Sequence, residues 1–176
     1  MKPREDRTLM LSAHGLAELM KAVLDRGSLF RFSARGASMT PFIRDGDTLT
    51  IESLADRVPR VGDVVAFSVT SRERSGLVVH RVVDDIGSRI VVQGDAYGCG
   101  SETIQRGHIL GRVVKVEREG YRRRLGLGPE RRLIVWFIRS GLLWGLVWPV
   151  WNGFRRLIRQ RHRKKPIQNV SVGRTW

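Results

Sequence analysis

The chain has 176 residues, with 32 Lys and Arg against 17 Asp and Glu, a formal net charge of +15 and a single cysteine. That length carries one domain with a sizeable core and room for an appendage. One cysteine excludes an intramolecular disulfide framework and a cysteine-rich metal cluster, and four histidines without HxH or HxxxH spacing argue against a zinc site.

The charge is uneven. Residues 118–176 hold 15 basic against 2 acidic side chains, whereas residues 1–117 hold 17 against 15. The first two thirds therefore reads as an ordinary globular sequence. The last third reads as a basic appendage of the kind that meets nucleic acid or anionic lipid. The opening MKPREDRTLM is charged and lacks an apolar run, so no secretory signal is expected there.

In chain order, Leu9, Leu16, Met20, Val23 and Leu24 fall near helical spacing and predict an amphipathic helix over 9–26, ended by Gly27. The alternating SLFRFSARG predicts a strand carrying Leu29, Phe30 and Phe32, and DTLTIE predicts another after a turn at Pro41. Further strands are expected over 62–69, 76–85, 88–95 and 108–120, separated by turn signals at Pro59, 74–76, 85–87 and 98–100. Short strands this closely spaced behind one helix predict a mostly β domain, a coiled sheet or small barrel.

After Gly126 the character changes. Residues 133–151 are apolar except for Arg139 and Ser140, hold four of the five tryptophans and are flanked by arginines on both sides. As a helix, this stretch would span roughly 28 Å, close to a hydrocarbon core. Arg139 and Pro149 suit a helix lying in the interface at least as well as one that crosses. The expected organisation is an amphipathic helix over 1–28, a β domain over 29–120, a basic, tryptophan-rich, membrane-associated segment over 121–160 and a disordered basic tail over 161–176. The expected partner of 121–165 is an anionic membrane, with the cytoplasmic side favoured by the basic flanks.

One loop draws attention for its chemistry. In RGASMTPFIRDGDTLTIE, Ser38 sits between small residues and a Met-x-Pro turn, just before a strand. A surface loop can carry such a serine for no reason. A nucleophile looks the same, provided a base lies elsewhere. Lys2, Lys21, Lys115, Lys164 and Lys165 are the only lysines, and none lies on the strands nearest the serine turn. His80, inside LVVHRVV, is the alternative: an imidazole in a fixed direction on a strand suits a general base. Read alone, it is equally a half-buried sheet histidine. Asp95 in VVQGDAYG could hold the imidazole, or could simply form a turn after glycine. Asp45, Asp47 and Asp63 read as turn chemistry at strand starts.

Taken together, SMTPFIRDGD, GDVVAF, VVHRVV and QGDA resemble, in order and rough spacing, the type I signal peptidase group of S24/S26 serine peptidases. The resemblance covers roughly residues 30–118. Bacterial signal peptidases carry lysine as base; the endoplasmic-reticulum, archaeal and some Gram-positive forms carry histidine, and this sequence resembles that histidine branch. The resemblance implies a coiled β catalytic domain and a serine endopeptidase acting through an acyl-enzyme on a leader or signal segment. It implies Ser38 as nucleophile, His80 as general base, Asp95 as the supporting carboxylate and no metal or organic cofactor. It also implies the Ser38 N–H as oxyanion donor and a peptide or protein substrate lying extended beside an exposed strand.

Three departures accompany it. Gly36 and Ala37 stand where many members carry a serine; about seven positions after the Gly-Asp box, where the histidine branch usually has another acidic residue, DAYGCGSET offers only Glu102 nearby and the role is left unassigned; and the chain opens on an amphipathic rather than a transmembrane helix. Two other readings follow from the same boxes: a peptide-binding module on the peptidase fold, and an S24-type DNA-binding regulator. The intact Ser38, His80 and Asp95 count against the first. The absence of a second helix in front, and basic residues interleaved with tryptophan, count against nucleic acid as the partner.

Overall fold

A computed structural model describes residues 13–55, 57–70 and 75–140. Helix α1 runs over Ala13–Asp25. Its inner stripe buries Ala17, Met20 and Leu24, with Leu16 and Val23 packed beside them. It ends in a Schellman turn: the Ser28 N–H donates to the Val23 carbonyl and the Gly27 N–H to the Leu24 carbonyl, with Gly27 at φ +73°. Residues 9–12 of the expected helix lie outside the described residues.

Eight strands follow: β1 (Phe30–Ser33), β2 (Thr48–Glu52), β3 (Val64–Thr70), β4 (Ser75–Ile86), β5 (Arg89–Gln93), β6 (Ser101–Gln105), β7 (Ile109–Arg118) and β8 (Tyr121–Arg123). They form one antiparallel sheet in the order β1-β2-β7-β3-β4-β5-β6, with β8 added to β7. The sheet is mostly β architecture as expected, and it is open, with β1 and β6 at its ends, rather than a closed barrel. Irregularities at Thr50/Ile51, Ala66/Phe67 and Val82/Asp84 supply local twist. Two apolar clusters lie along it. One gathers Met20, Leu24, Phe30, Met39, Leu49 and Val116 under α1. The other gathers Val65, Phe67, Val82, Ile90, Val92 and Ile104 on β3 to β6.

Close approach of α1 depends on Gly111 in β7. A Cβ there would stand 2.5 Å from the Glu52 carbonyl oxygen and 3.0 Å from Leu24 Cδ1. Strand β6 was not expected, because SETIQ buries only Ile104. It is an edge strand held by its pairing with β5.

The compact unit continues to Arg139. Helix α2, Arg131–Ser140, buries Ile134 and Val135. Glu130 accepts the N–H groups of Gly126 and Gly128 at 2.7 and 3.0 Å and so closes the turn before the helix. Arg131 binds Asp63 at 2.7 Å, and Arg139 reaches Asp84 and the Val83 carbonyl. Among the described residues no helix is long and apolar enough to cross a membrane. Residues 141–160 of the expected membrane-associated segment, and the tail over 161–176, lie outside the described residues.

Candidate active site

The loop between β1 and β2 is held by its own aspartates. The Gly36 N–H donates to Asp45 Oδ1 at 2.9 Å, and the Arg44 N–H donates to Asp47 Oδ2 at 2.8 Å. Backbone bonds from Ala34 N–H to the Asp47 carbonyl and from Gly46 N–H to the Ala34 carbonyl close the loop's base. Within it, the Thr40 N–H donates to the Ala37 carbonyl, which places Ser38 and Met39 at the two corners of a tight turn. Met39 and Ile43 anchor the turn in the core, and Ser38 is half-buried. Among the described residues nothing accepts the Ser38 N–H.

Asp47 is 1% exposed and accepts hydrogen bonds from Nε and one terminal nitrogen of Arg118, each at 2.7 Å. Burial pushes its pKa up, but the Arg118 fork and the Arg44 N–H hold it below the ordinary carboxylate value. The turn reading of Asp47 and Asp63 thus describes half of their role. Asp63 likewise accepts the Arg60 N–H and also binds Arg131.

The other side of Ser38 is backed by the turn after β5. The Ala96 N–H donates to the Ser38 carbonyl at 2.8 Å, and Cys99 Sγ lies 3.7 Å from the same oxygen. Gly94 is packed against it: a Cβ would stand 2.6 Å from the Ser38 carbonyl oxygen and 2.9 Å from Cys99 Sγ. In the β4–β5 ladder Arg81 pairs with Gln93, so His80 and Gly94 are one step further along. The Ser38 carbonyl therefore packs just past the end of the β4–β5 ladder, next to the strand that carries His80.

His80 lies opposite Val65 in β3, with its ring 6.0 Å from that of Phe67. Its side chain is 14% exposed, and Nδ1 stands 3.6 Å from Glu102 Oε1 on β6. Asp95 is placed differently from the expectation. It is fully buried, and both of its oxygens are held by Arg81, Nε at 2.8 Å and NH2 at 2.7 Å. Burial raises the Asp95 pKa, with the Arg81 guanidinium working against that rise. The carboxylate facing the imidazole is that of Glu102.

Arg81, which the sequence reading passed over, is the structural knot of the region. Besides Asp95 it donates to the carbonyls of Gly62 and Gly126 at 2.9 and 2.8 Å, and it lies 5.6 Å from the centre of the Phe42 ring. The signal for it is present in the sequence: an arginine inside a valine-rich strand needs a buried acid, and Asp95 follows the next strand by two residues.

A groove of about 320 Å³ opens at Ser38. Phe32, Ala34, Leu77, Val79 and, from α1, Leu16 give it apolar walls. The arrangement offers a serine on a tight turn whose N–H has no acceptor among the described residues, an apolar groove beside that serine, and on β4 an imidazole 3.6 Å from a carboxylate. Residues of these types serve serine acyl transfer where they converge.

Comparison with curated proteins and with solved structures returns no match. A family model described as Peptidase S24-like matches residues 7–114, more than half of the chain and the whole stretch that carries Ser38, His80, Asp95 and Glu102, and the chain therefore belongs to the S24-like peptidase family.

Proposed function

We propose that the chain is a serine endopeptidase in which Ser38 is the nucleophile, His80 the general base and Glu102 the group that orients the imidazole. This is a signal-peptidase-like chemistry of the histidine type within the S24-like family. In this reading Nε2 of His80 takes the Ser38 Oγ proton as Oγ attacks the peptide carbonyl. The Ser38 N–H then donates to the oxyanion. The imidazolium returns the proton to the leaving amine, and water releases the acyl group by the same route. The 3.6 Å between Nδ1 and Glu102 is longer than a hydrogen bond and must shorten by roughly half an ångström to become one; it becomes an ion pair only when the imidazole takes the proton. Asp95 serves through Arg81, which ties the turn behind Ser38 to the Phe42 loop. The expected substrate is an extended peptide or protein segment with apolar or small side chains in the Ser38 groove.

The observation that carries this reading is the packing of the Ser38 carbonyl against Gly94 and Ala96, beside the strand position of His80. A peptide library incubated with the protein, with cleavage sites mapped by mass spectrometry, tests it. The wild type cuts, and Ser38→Ala and His80→Ala do not while keeping the wild-type melting temperature. Cutting by Ser38→Ala refutes the assignment. The family match supports a second reading, a regulator that cuts only itself. Cleavage at a rate independent of protein concentration, with the peptide library untouched, would select that reading.

A further inference from the structure

A second surface of the domain is built from two separate elements, the 53–61 loop and the start of α2. They border one groove of about 910 Å³, lined among others by Arg57, Val58, Arg60, Arg131 and Arg132. Its acids are Glu52, Asp63 and Asp85; Glu52 is held by Arg112, with Arg57 4.0 Å away, and Asp85 is held by Arg106. Arg131 is committed to Asp63. Arg60 and Arg132 are exposed and have no acidic partner among the described residues. Beside these charges stand apolar side chains turned to solvent. Val58 is 57% exposed at the loop, and Leu133 and Trp136 are 61% and 57% exposed on α2. Trp136 follows Arg132 by one helical turn, so the basic and aromatic groups share one stripe.

This exposure is not a failure of α2 to dock. Its other face buries Ile134 and Val135, and ion pairs at both ends, Arg131 with Asp63 and Arg139 with Asp84, fix its rotation. The outward stripe is therefore held outward.

We propose that the 53–61 loop and the outer stripe of α2 form a docking face for an anionic lipid bilayer. In that pose Arg57, Arg60 and Arg132 lie at the phosphates, and Val58, Leu133 and Trp136 enter the headgroup boundary. Exposed arginines alone suit any polyanion. Aliphatic side chains and an indole standing among them select a surface that is charged outside and apolar beneath. The sequence after α2 continues the same composition, with Trp144, Trp148 and Trp151 inside an apolar run. None of these residues belongs to the Ser38 site, so this face and the peptidase reading stand or fall separately.

The test is co-sedimentation of the full chain with phosphatidylcholine vesicles, with and without phosphatidylglycerol. Wild type is expected to bind the anionic vesicles and to be released by salt. Arg60→Gln with Arg132→Gln removes two charges from the contact and should weaken binding on the order of thirtyfold. Val58→Ser with Trp136→Ser should weaken it with both charges in place, whereas Arg89→Gln, a lost charge on β5, should bind within about twofold of wild type. All these side chains are exposed, and unchanged thermal melts confirm the fold. Wild-type binding by both double variants refutes the proposal and moves lipid contact elsewhere in the chain. Absence of wild-type binding refutes it outright. Displacement from vesicles by duplex DNA, with the double variants losing DNA affinity instead, reassigns the face to nucleic acid.

Discussion

Gly94→Ala is the sharpest perturbation of the candidate site. The backbone at Gly94 lies outside the left-handed region, so alanine meets no conformational penalty there. Its Cβ would stand 2.6 Å from the Ser38 carbonyl oxygen, whereas ordinary contact begins at 3.4 Å, so about 0.8 Å must be made up. The obstacle is backbone, and that backbone is also bonded to the Ala96 N–H, so the serine turn itself has to move. Overpacking of this kind costs about 1–3 kcal/mol of stability. A displacement near 1 Å at a reacting group costs roughly a hundredfold in rate. The expected outcome is a folded protein, melting a few degrees lower, with kcat down about a hundredfold on a peptide that the wild type cuts. Cys99→Ala in the same chain removes Sγ but leaves the carbonyl contact, and should not restore activity. Wild-type kcat in Gly94→Ala would mean that the turn after β5 does not position the nucleophile. Rescue by Cys99→Ala would place the obstruction at the thiol instead.

Glu102→Gln should lower kcat by about ten- to a hundredfold, less than the ~10²–10⁴-fold lost with a general base. An unchanged kcat in Glu102→Gln rules out Glu102 as the orienting group. Arg81→Met strands the buried Asp95 carboxylate and should cost about 3–5 kcal/mol in urea unfolding, with Arg81→Met/Asp95→Leu costing less; a double variant less stable than the single contradicts the buried pair. Asp47 has its folded pKa held below the usual 3.8, so its stabilisation is complete above that value and is lost as pH falls through the lower folded one. Asp47→Asn should therefore be less stable than wild type at pH 7 and lose less stability on acidification to pH 3; parallel acid limbs would show that Asp47 is not the group responsible.

The parts legible in the sequence are those carried by local pattern. The helical spacing of Leu16, Met20, Val23 and Leu24 placed α1, and Gly27 marked its end through a Schellman turn. The alternation in β2 and the valine runs of β3, β4 and β7 gave the sheet its members. Strand β6 escaped because an edge strand needs only one buried side chain, and β8 because YRR buries none. Ser38, His80 and Asp95 were picked out by residue type, but the partners of Asp95 were not. Which acid meets the imidazole depends on the β4–β5–β6 register and on alternation along β4, which turns His80 and Arg81 to opposite faces. Register between strands is a long-range property that no short window contains.

Asp63 immediately precedes β3 and also receives Arg131 of α2, and a Cβ on Gly62 next to it would stand 2.8 Å from Arg131 Cγ. Gly62 and Gly126 in turn hand their carbonyls to Arg81. A chain cut after β7 or β8 would thus lose the lid over Gly62, one of the guanidinium groups on Asp63 and one acceptor of Arg81 in a single stroke. The smallest piece expected to keep these contacts therefore runs to Arg139, where the compact unit ends, and trimming at the last strand would uncover Gly62 and one side of the buried Arg81.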